Sequence, residues 1–339
     1  MYEWLGGSRA GHEGKMLRSV LGAVVAVVCV GSIASCDDHA SSQPGKPPGC
    51  APVAGGRLVV LVDDKRLQAA NNIIPAVNGK AATPTLIAAL DKASTQLTQE
   101  RLVNLNKATD VTGKTSKGAA QEFASSVKLT NGIARGPGGR IVVGASNFSE
   151  SQTLAFVYQI ALNAAGYDAI VQPVGGREGY EPALENGEVD VVPEYLSTLT
   201  EFLNQKVNGT NAKPLASGDL DKTYAALHSL GDRNRLKFGR PAPATAQNAF
   251  AVTKALADKY ALKTLSDLAA KCSGKATVLA GPADCPTSAF CQPGMEATYS
   301  LKVGRFSSLD AGGPKTKEAL TSGAATVGLI FSSDATLAG

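Results

Sequence analysis

The residues able to do chemistry in this 339-residue chain are few. Of its three histidines, His12 and His39 precede the first regular pattern, and His228 lies in an ordinary amphipathic helix, TYAALHSL. No Ser-His-Asp arrangement and no histidine-based metal site can be assembled from that set. No G-x-x-x-x-G-K-[ST] phosphate loop occurs, and GPGGR follows no strand, so it reads as a joining loop. What remains is a group of polar and aromatic residues at strand ends: Ser146, Asn147 and Phe148 after one strand, Pro193, Glu194 and Tyr195 after another. Aromatics make up only 5% of the chain, so each one at a strand end carries weight. Tyr195 and Asn147 are the first candidates for ligand contact. For an enzyme, Glu194 with Asp284 is the acid/base pair on offer.

The elements that must position these residues lie in 141–201. Ile141-Val142-Val143 is a β-branched run stopped by Gly144, and Ser149 is the N-cap expected of the next helix. Leu154, Phe156, Val157, Ile160, Ala161 and Ala164 recur at helical spacing until Gly166. Ala169-Ile170-Val171 and 189–192 are further strands, with a helix between them. This βαβ rhythm predicts a parallel sheet covered by helices. Ligands of such sheets bind at the carboxyl ends of the strands, which puts 146–148 and 193–195 at the rim. Helical spacing also marks 83–94, 98–106, 116–127, 197–207 and 219–230, and 58–62 reads as a strand. A second lobe is expected to open with a strand at 248–253 and to add strands at 277–279 and 327–331.

With 44% hydrophobic residues the chain can bury one large core or two modest ones. The net charge of +4 is spread out, with no dense basic patch interleaved with aromatics, so no nucleic-acid partner is expected. Near the start, Met16 begins a short basic region, Leu17-Arg18, ahead of an apolar run at 20–30 that is too short to span a membrane. It ends in Ile33-Ala34-Ser35-Cys36, which resembles a bacterial lipobox. That implies secretion, cleavage before Cys36 and lipid attachment to its thiol, on the outer face of the cytoplasmic membrane. An uncleaved N-terminal anchor is the alternative. The expected organisation is a signal peptide in 1–35 and a flexible Ser/Pro/Gly tether in 36–56 ahead of the folded part.

G-A-S-N-F-S-E-S-Q at 144–152, followed by G-G-R-E-G-Y-x-P-A-L-x-x-G-E-V-D-V-V-P-E-Y-L-S-T at 175–198, resembles the substrate-binding subunits of osmoprotectant ABC importers, the group for glycine betaine, choline, carnitine and proline betaine. The resemblance implies an α/β fold of the two-lobed periplasmic-binding-protein type (type II), with lobe one in 57–247, lobe two and the hinge in 248–339, and a ligand cleft between the lobes. It also implies an unusual chain order. LVVLVDDKRLQAANNIIPAVN at 58–78 resembles the family's final segment, yet here it comes first. A circular permutation accounts for this, with the old ends joined through NGIARGPGGR at 131–140 and only the crossing near Ala246 left covalent. A truncated tandem duplication or a gene-model error is the alternative.

A quaternary ammonium group donates no hydrogen bonds and is held by aromatic faces. By resemblance, the cage tyrosine of the PEY segment is Tyr195, with the Thr198 hydroxyl on the same rim. The other cage positions fall on Phe250, Phe331 and Asn71. The family's lysine after G-[AS] is Ser146 here, and its carboxylate-binding arginine, four residues beyond Asp284, is Ser288. A cage short of two tyrosine hydroxyls and both cations leaves a choline-like cation, a neutral polyol or a sugar open beside a betaine. Arg177 and Glu178 could supply replacement polar contacts, or could form a salt-bridged loop outside the cleft.

In an exported protein, Cys50, Cys272, Cys285 and Cys291 favour disulfides. Cys285 and Cys291 are close enough to staple their loop, and similar family members carry a pair there. Cys50 with Cys272 is left by elimination, and a Cys₄ zinc site is disfavoured by the absence of any C-x₂-C spacing. The expected protein is a monomeric, lipid-anchored, non-enzymatic solute-binding protein without cofactors. It would deliver a small compatible solute to an ABC permease and its ATPase. A solute sensor that has lost transport is a further alternative.

Overall fold

The computed structural model describes residues 48–338, so the expected signal peptide and Cys36 lie outside the described residues. The chain opens with β1 (Leu58–Leu61), crosses to β2 (Ile73–Asn78), and continues through α1 (Pro84–Gln96), α2 (Gln99–Asn106), a π-helical turn (Lys107–Val111) and α3 (Ser116–Ser126). Next come β3 (Arg140–Ser146), α4 (Ser149–Ala164), β4 (Asp168–Gly175), α5 (Arg177–Asn186), β5 (Val191–Tyr195), α6 (Leu196–Asn208), α7 (Leu220–Arg233) and β6 (Leu236–Phe238). The remainder is β7 (Asn248–Thr253), α8 (Lys254–Tyr260), α9 (Leu265–Cys272), β8 (Gly274–Pro282), α10 (Gln292–Tyr299), β9 (Val303–Leu309), α11 (Pro314–Thr321), β10 (Val327–Phe331) and a 3₁₀ turn (Ala335–Leu337).

Two five-stranded sheets result, in the orders β4-β3-β5-β2-β6 and β9-β8-β10-β7-β1. They share one layout. Three parallel strands, the earliest of them central, are followed by an antiparallel strand that has just arrived from the other sheet. In the first sheet that newcomer is β2, in the second β7. Helices cover both faces of each sheet. Leu86, Leu90, Leu102 and Tyr158 pack on one side of the first sheet, and Leu184, Leu199, Leu203 and Leu227 on the other. Every residue of β5 and β2 is buried, as expected of strands covered on both faces.

Two expectations about lobe boundaries do not hold. β1 pairs antiparallel with β7, from Leu58 opposite Thr253 to Leu61 opposite Phe250, so it belongs to the second sheet and not to lobe one. Left bare, β7 would present an unpaired edge, and β1 covers it. The chain therefore crosses between sheets at 62–72 and again at 239–247, and both crossings are covalent. The outer part of the expected tether is also structured. Residues 48–57 lie against the second sheet, with Cys50 fully buried and bonded to Cys272. The Val53 carbonyl accepts the Thr253 hydroxyl, and the Gly55 N–H donates to the Thr321 carbonyl. The second disulfide, Cys285–Cys291, staples the loop between β8 and α10.

Local signals explain most element ends. Thr83, Thr98, Thr115 and Thr253 cap their helices through side-chain oxygens, and Thr264 forms a capping box with Asp267. At α4 the expected cap shifts by one residue: Ser149 is the first helical residue, Phe148 precedes it, and the Ser151 hydroxyl accepts from the Ser146 N–H. β2 carries Pro75, which argues against a central strand. Pro75 stands opposite Pro193 in the register, so both missing N–H groups fall at one ladder position.

Loop-closure entropy ranks the two disulfides: the 222-residue separation of Cys50 and Cys272 corresponds to about 5 kcal/mol and the 6-residue separation of Cys285 and Cys291 to about 2 kcal/mol. Guanidinium unfolding of Cys50→Ala/Cys272→Ala is expected to show the larger loss. Equal losses from the two double variants would contradict that ranking.

Candidate ligand site

The carboxyl ends of β3, β4 and β5 meet the first turns of α4, α5 and α6 at one rim, where backbone N–H groups and helix dipoles favour negative charge. The carboxylate that occupies this setting belongs to the protein. Glu194 is 1% exposed. It accepts two bonds from Arg177, Nε to Oε1 at 2.8 Å and an Nη to Oε2 at 2.7 Å. The Tyr180 hydroxyl donates to Oε1 at 2.6 Å, and the Tyr195 N–H to Oε2 at 3.0 Å. Burial, followed by the Glu194 charge, pushes the Tyr180 hydroxyl well above its ordinary value and keeps it a donor. Arg177 also donates to the Thr198 hydroxyl at 3.1 Å. Arg177 thus stands in a buried ion pair in the first turn of α5, not in a loop, and it ties α5 to α6.

Tyr195 is buried, and its hydroxyl donates to Glu150 Oε1 at 2.6 Å. Glu150 accepts on its other oxygen from Asn106 Nδ2, which also donates to the Ser333 carbonyl at 2.8 Å. The expected cage tyrosine is therefore linked through Glu150 and Asn106 to the segment after β10, at the end of the second sheet. Burial raises the Glu150 pKa above its ordinary value, and the bonds from Tyr195, Asn106 and Ser333 oppose that. Phe148, 40% exposed, sets its ring 6.1 Å from the Tyr195 ring, so an aromatic pair does lie on this rim. Ser146 is buried and donates to the Gly175 carbonyl, while Asn147 beside it is exposed.

Asn71 does not behave as a cage wall. Its Oδ1 accepts from the Ser197 N–H, the Ser197 hydroxyl and the Thr198 N–H, and its Nδ2 donates to the Ala246 carbonyl. One amide therefore caps α6 and joins the two crossings. Ser332 extends this polar junction through bonds with Gln247, Thr245 and Gln99.

The structure gathers Ser146, Arg177, Tyr195, Thr198 and Asn71 at this rim. It does not bring the remaining candidates into their polar network. Phe250 is 1% exposed and packs with Leu61, Val252 and Leu329 in the core of the second sheet. In β7 the residue next to the crossing is Asn248, opposite Phe331, which is partly exposed. Asp284 lies exposed on the disulfide loop, where its carbonyl accepts from the Thr287 and Ser288 N–H groups. The Glu194–Asp284 pair considered for an enzyme is therefore not assembled: one member is saturated by an ion pair and the other sits on a separate loop. His228 packs edge-on to Tyr224 and Phe238, and burial lowers its pKa. Glu150 and Asn106 were missed by sequence reasoning. A carboxylate in a helix's first turn is ordinary dipole chemistry, and only the packing of α2 against α4 shows it to be buried.

Two lobes of matching topology, joined by two crossings with a polar rim between them, define the solute-binding architecture of extracytoplasmic transport proteins. The chain belongs to the family described as the substrate binding domain of ABC-type glycine betaine transport systems, whose profile matches residues 53–126 and 139–339. This is a transport family and not an enzyme family. Among solved structures, one titled as a crystal structure of a glycine betaine/carnitine/choline ABC transporter is similar at 21% identity and a TM-score of 0.41, over 57% of this chain and 68% of that one. No curated protein matches the sequence.

Tyr195→Phe leaves the buried Glu150 without one donor and is expected to cost about 1–3 kcal/mol of unfolding free energy at pH 7, read by urea denaturation. Because the folded Glu150 pKa lies above the ordinary 4.5, its carboxylate lowers stability at neutral pH. That loss is recovered as pH falls through the folded pKa towards 4.5. Glu150→Gln is expected to flatten that part of the stability–pH curve, and an unchanged curve would refute the assignment.

Proposed function

We propose that this chain is an extracytoplasmic lipoprotein, anchored through Cys36, that binds a small compatible solute and hands it to an ABC permease driven by a separate ATPase. The family match over both sheets supports solute binding for a transport system, and the lipobox-like Ile33-Ala34-Ser35-Cys36 supports the anchor. The solute class that follows is a quaternary ammonium compound, with its cation against the Phe148–Tyr195 pair. A neutral polyol or sugar is the second reading. It is favoured by Ser146 and Ser288 where cations were expected, and by Arg177 and Asn71 already being bound to protein groups.

The permuted chain order belongs to the same proposal. The profile match is interrupted at 127–138, between α3 and β3, where a permutation would join the old ends. The expected new ends both lie on the second sheet, where Gly55 bonds Thr321 and β10 is separated from β1 only by β7. The joining segment is packed: the Gly136 N–H donates to the Ala165 carbonyl, and the Tyr167 ring lies under the glycine.

Calorimetric titration of the full chain in mild detergent with glycine betaine, proline betaine, choline and carnitine tests the function. Micromolar binding of one of them, weakened at least about tenfold by Phe148→Ala, is the expected result. Silence from all four would overturn the quaternary ammonium class.

A further inference from the structure

Two buried glutamates stand at the candidate rim, and only one of them is neutralised. Glu194 is paired with Arg177 through two bonds. Glu150, 8% exposed, has neutral partners: Tyr195 on Oε1, Asn106 on Oε2, and Ser333. No lysine or arginine pairs with it among the described residues, and Asp110 nearby adds a like charge. Asn106 shows which form of Glu150 this network is built for. Its N–H groups go to Glu150 and to the Ser333 carbonyl, while its own buried Oδ1 has no partner. Turning the amide would set that oxygen against two acceptors, so its orientation serves a carboxylate that only accepts.

A buried charge held by neutral dipoles is screened far less than one in water. The ring whose hydroxyl meets Glu150 is the one that pairs with Phe148 at 6.1 Å. A phenol donating to a carboxylate has a more electron-rich ring, so the Glu150 charge adds to the pull of that aromatic face on a cation.

A carboxylate on the ligand would find the opposite setting. The N-termini of α4 and α6 favour negative charge, but Glu150 in the first turn of α4 and Glu194 just before α6 already supply it. Arg177 is committed to Glu194 and Thr198, and the Ser146 hydroxyl donates to the Gly175 carbonyl. Drawing Arg177 onto a second carboxylate would strand the first. Beyond the rim, Lys107 donates to the Ala338 carbonyl and Lys317 pairs with Asp334.

We propose that Glu150 is a specificity-determining residue of the candidate site, selecting a quaternary ammonium cation that lacks a carboxylate over a zwitterion with the same headgroup. This rests on the quaternary ammonium reading above and narrows it to solutes of net positive charge.

Choline and glycine betaine are the minimal pair, since both carry a trimethylammonium group and they differ in an alcohol against a carboxylate. Dimethylbutanol, the carbon analogue of choline, removes the positive charge. Calorimetric titration of the full chain in mild detergent is expected to show choline bound at least about tenfold more tightly than either. Glu150→Gln keeps the side chain's size and removes its charge. It should weaken choline by about tenfold and glycine betaine by less than about threefold, with circular dichroism confirming the fold. Asn147→Lys adds a cation at an exposed position beside Phe148, so it should shift the preference towards glycine betaine whether or not Glu150→Gln folds. The proposal is overturned by glycine betaine or dimethylbutanol matching choline, by equal losses of choline and glycine betaine in Glu150→Gln, or by an unchanged ratio in Asn147→Lys. Each of those results leaves the proposed function standing, whereas silence from choline and glycine betaine alike sinks both.

Discussion

The Glu194 carboxylate is the constraint on which the rim depends. A buried carboxylate is costly unless its lone pairs are filled, and here four donors fill them: two from Arg177, one from Tyr180 and one from the Tyr195 backbone. Removing one partner of such a pair typically costs about 3–5 kcal/mol, because the other charge is left stranded. The arrangement holds α5 against the end of β5, and the further bond from Arg177 to Thr198 holds α6 as well. Tyr195 is consequently fixed through its backbone by Glu194 and through its hydroxyl by Glu150. The candidate rim is therefore held in place by charges that the protein itself supplies.

Between the sheets the chemistry is different. Asn71, Gln99, Thr245, Gln247 and Ser332 join the crossings through neutral amides and hydroxyls. Neutral hydrogen bonds are worth only about 1 kcal/mol each net, because water replaces them when they open. The sheets themselves are held by apolar cores on both faces. Stiff lobes thus meet at a junction of weak, exchangeable bonds. Asn71 illustrates the trade: the position expected to give an aromatic wall gives instead a cap for α6 that ties both crossings together.

Much of the fold was legible in the sequence because the signals were local. β-branched runs, helical spacing and threonine caps placed β3, α4, β7, β10 and most helices within a few residues of their observed ends. The strands that escaped lacked such signals. β2 contains Pro75, β6 has three residues, and β9 is a half-exposed edge with glycine and serine in it. At the candidate rim, Tyr195 was singled out because strand ends in a parallel sheet are a general binding position, and Thr198 through the family resemblance. Phe250, taken from the resemblance, lies buried in the second core, since a motif match does not say which face of β7 meets that core.

By itself, then, the sequence determined the element types and the cysteine set fit for disulfides, since these follow from residue type and spacing, while the two-lobed class came through the family resemblance. Only the tertiary structure decided that β1 belongs to the second sheet, that Arg177 is paired with Glu194 and that Glu150 stands behind Tyr195. Each of these is a pairing between residues brought together by packing, and whether a polar side chain is free or spent depends on partners that its own neighbours in the chain do not reveal.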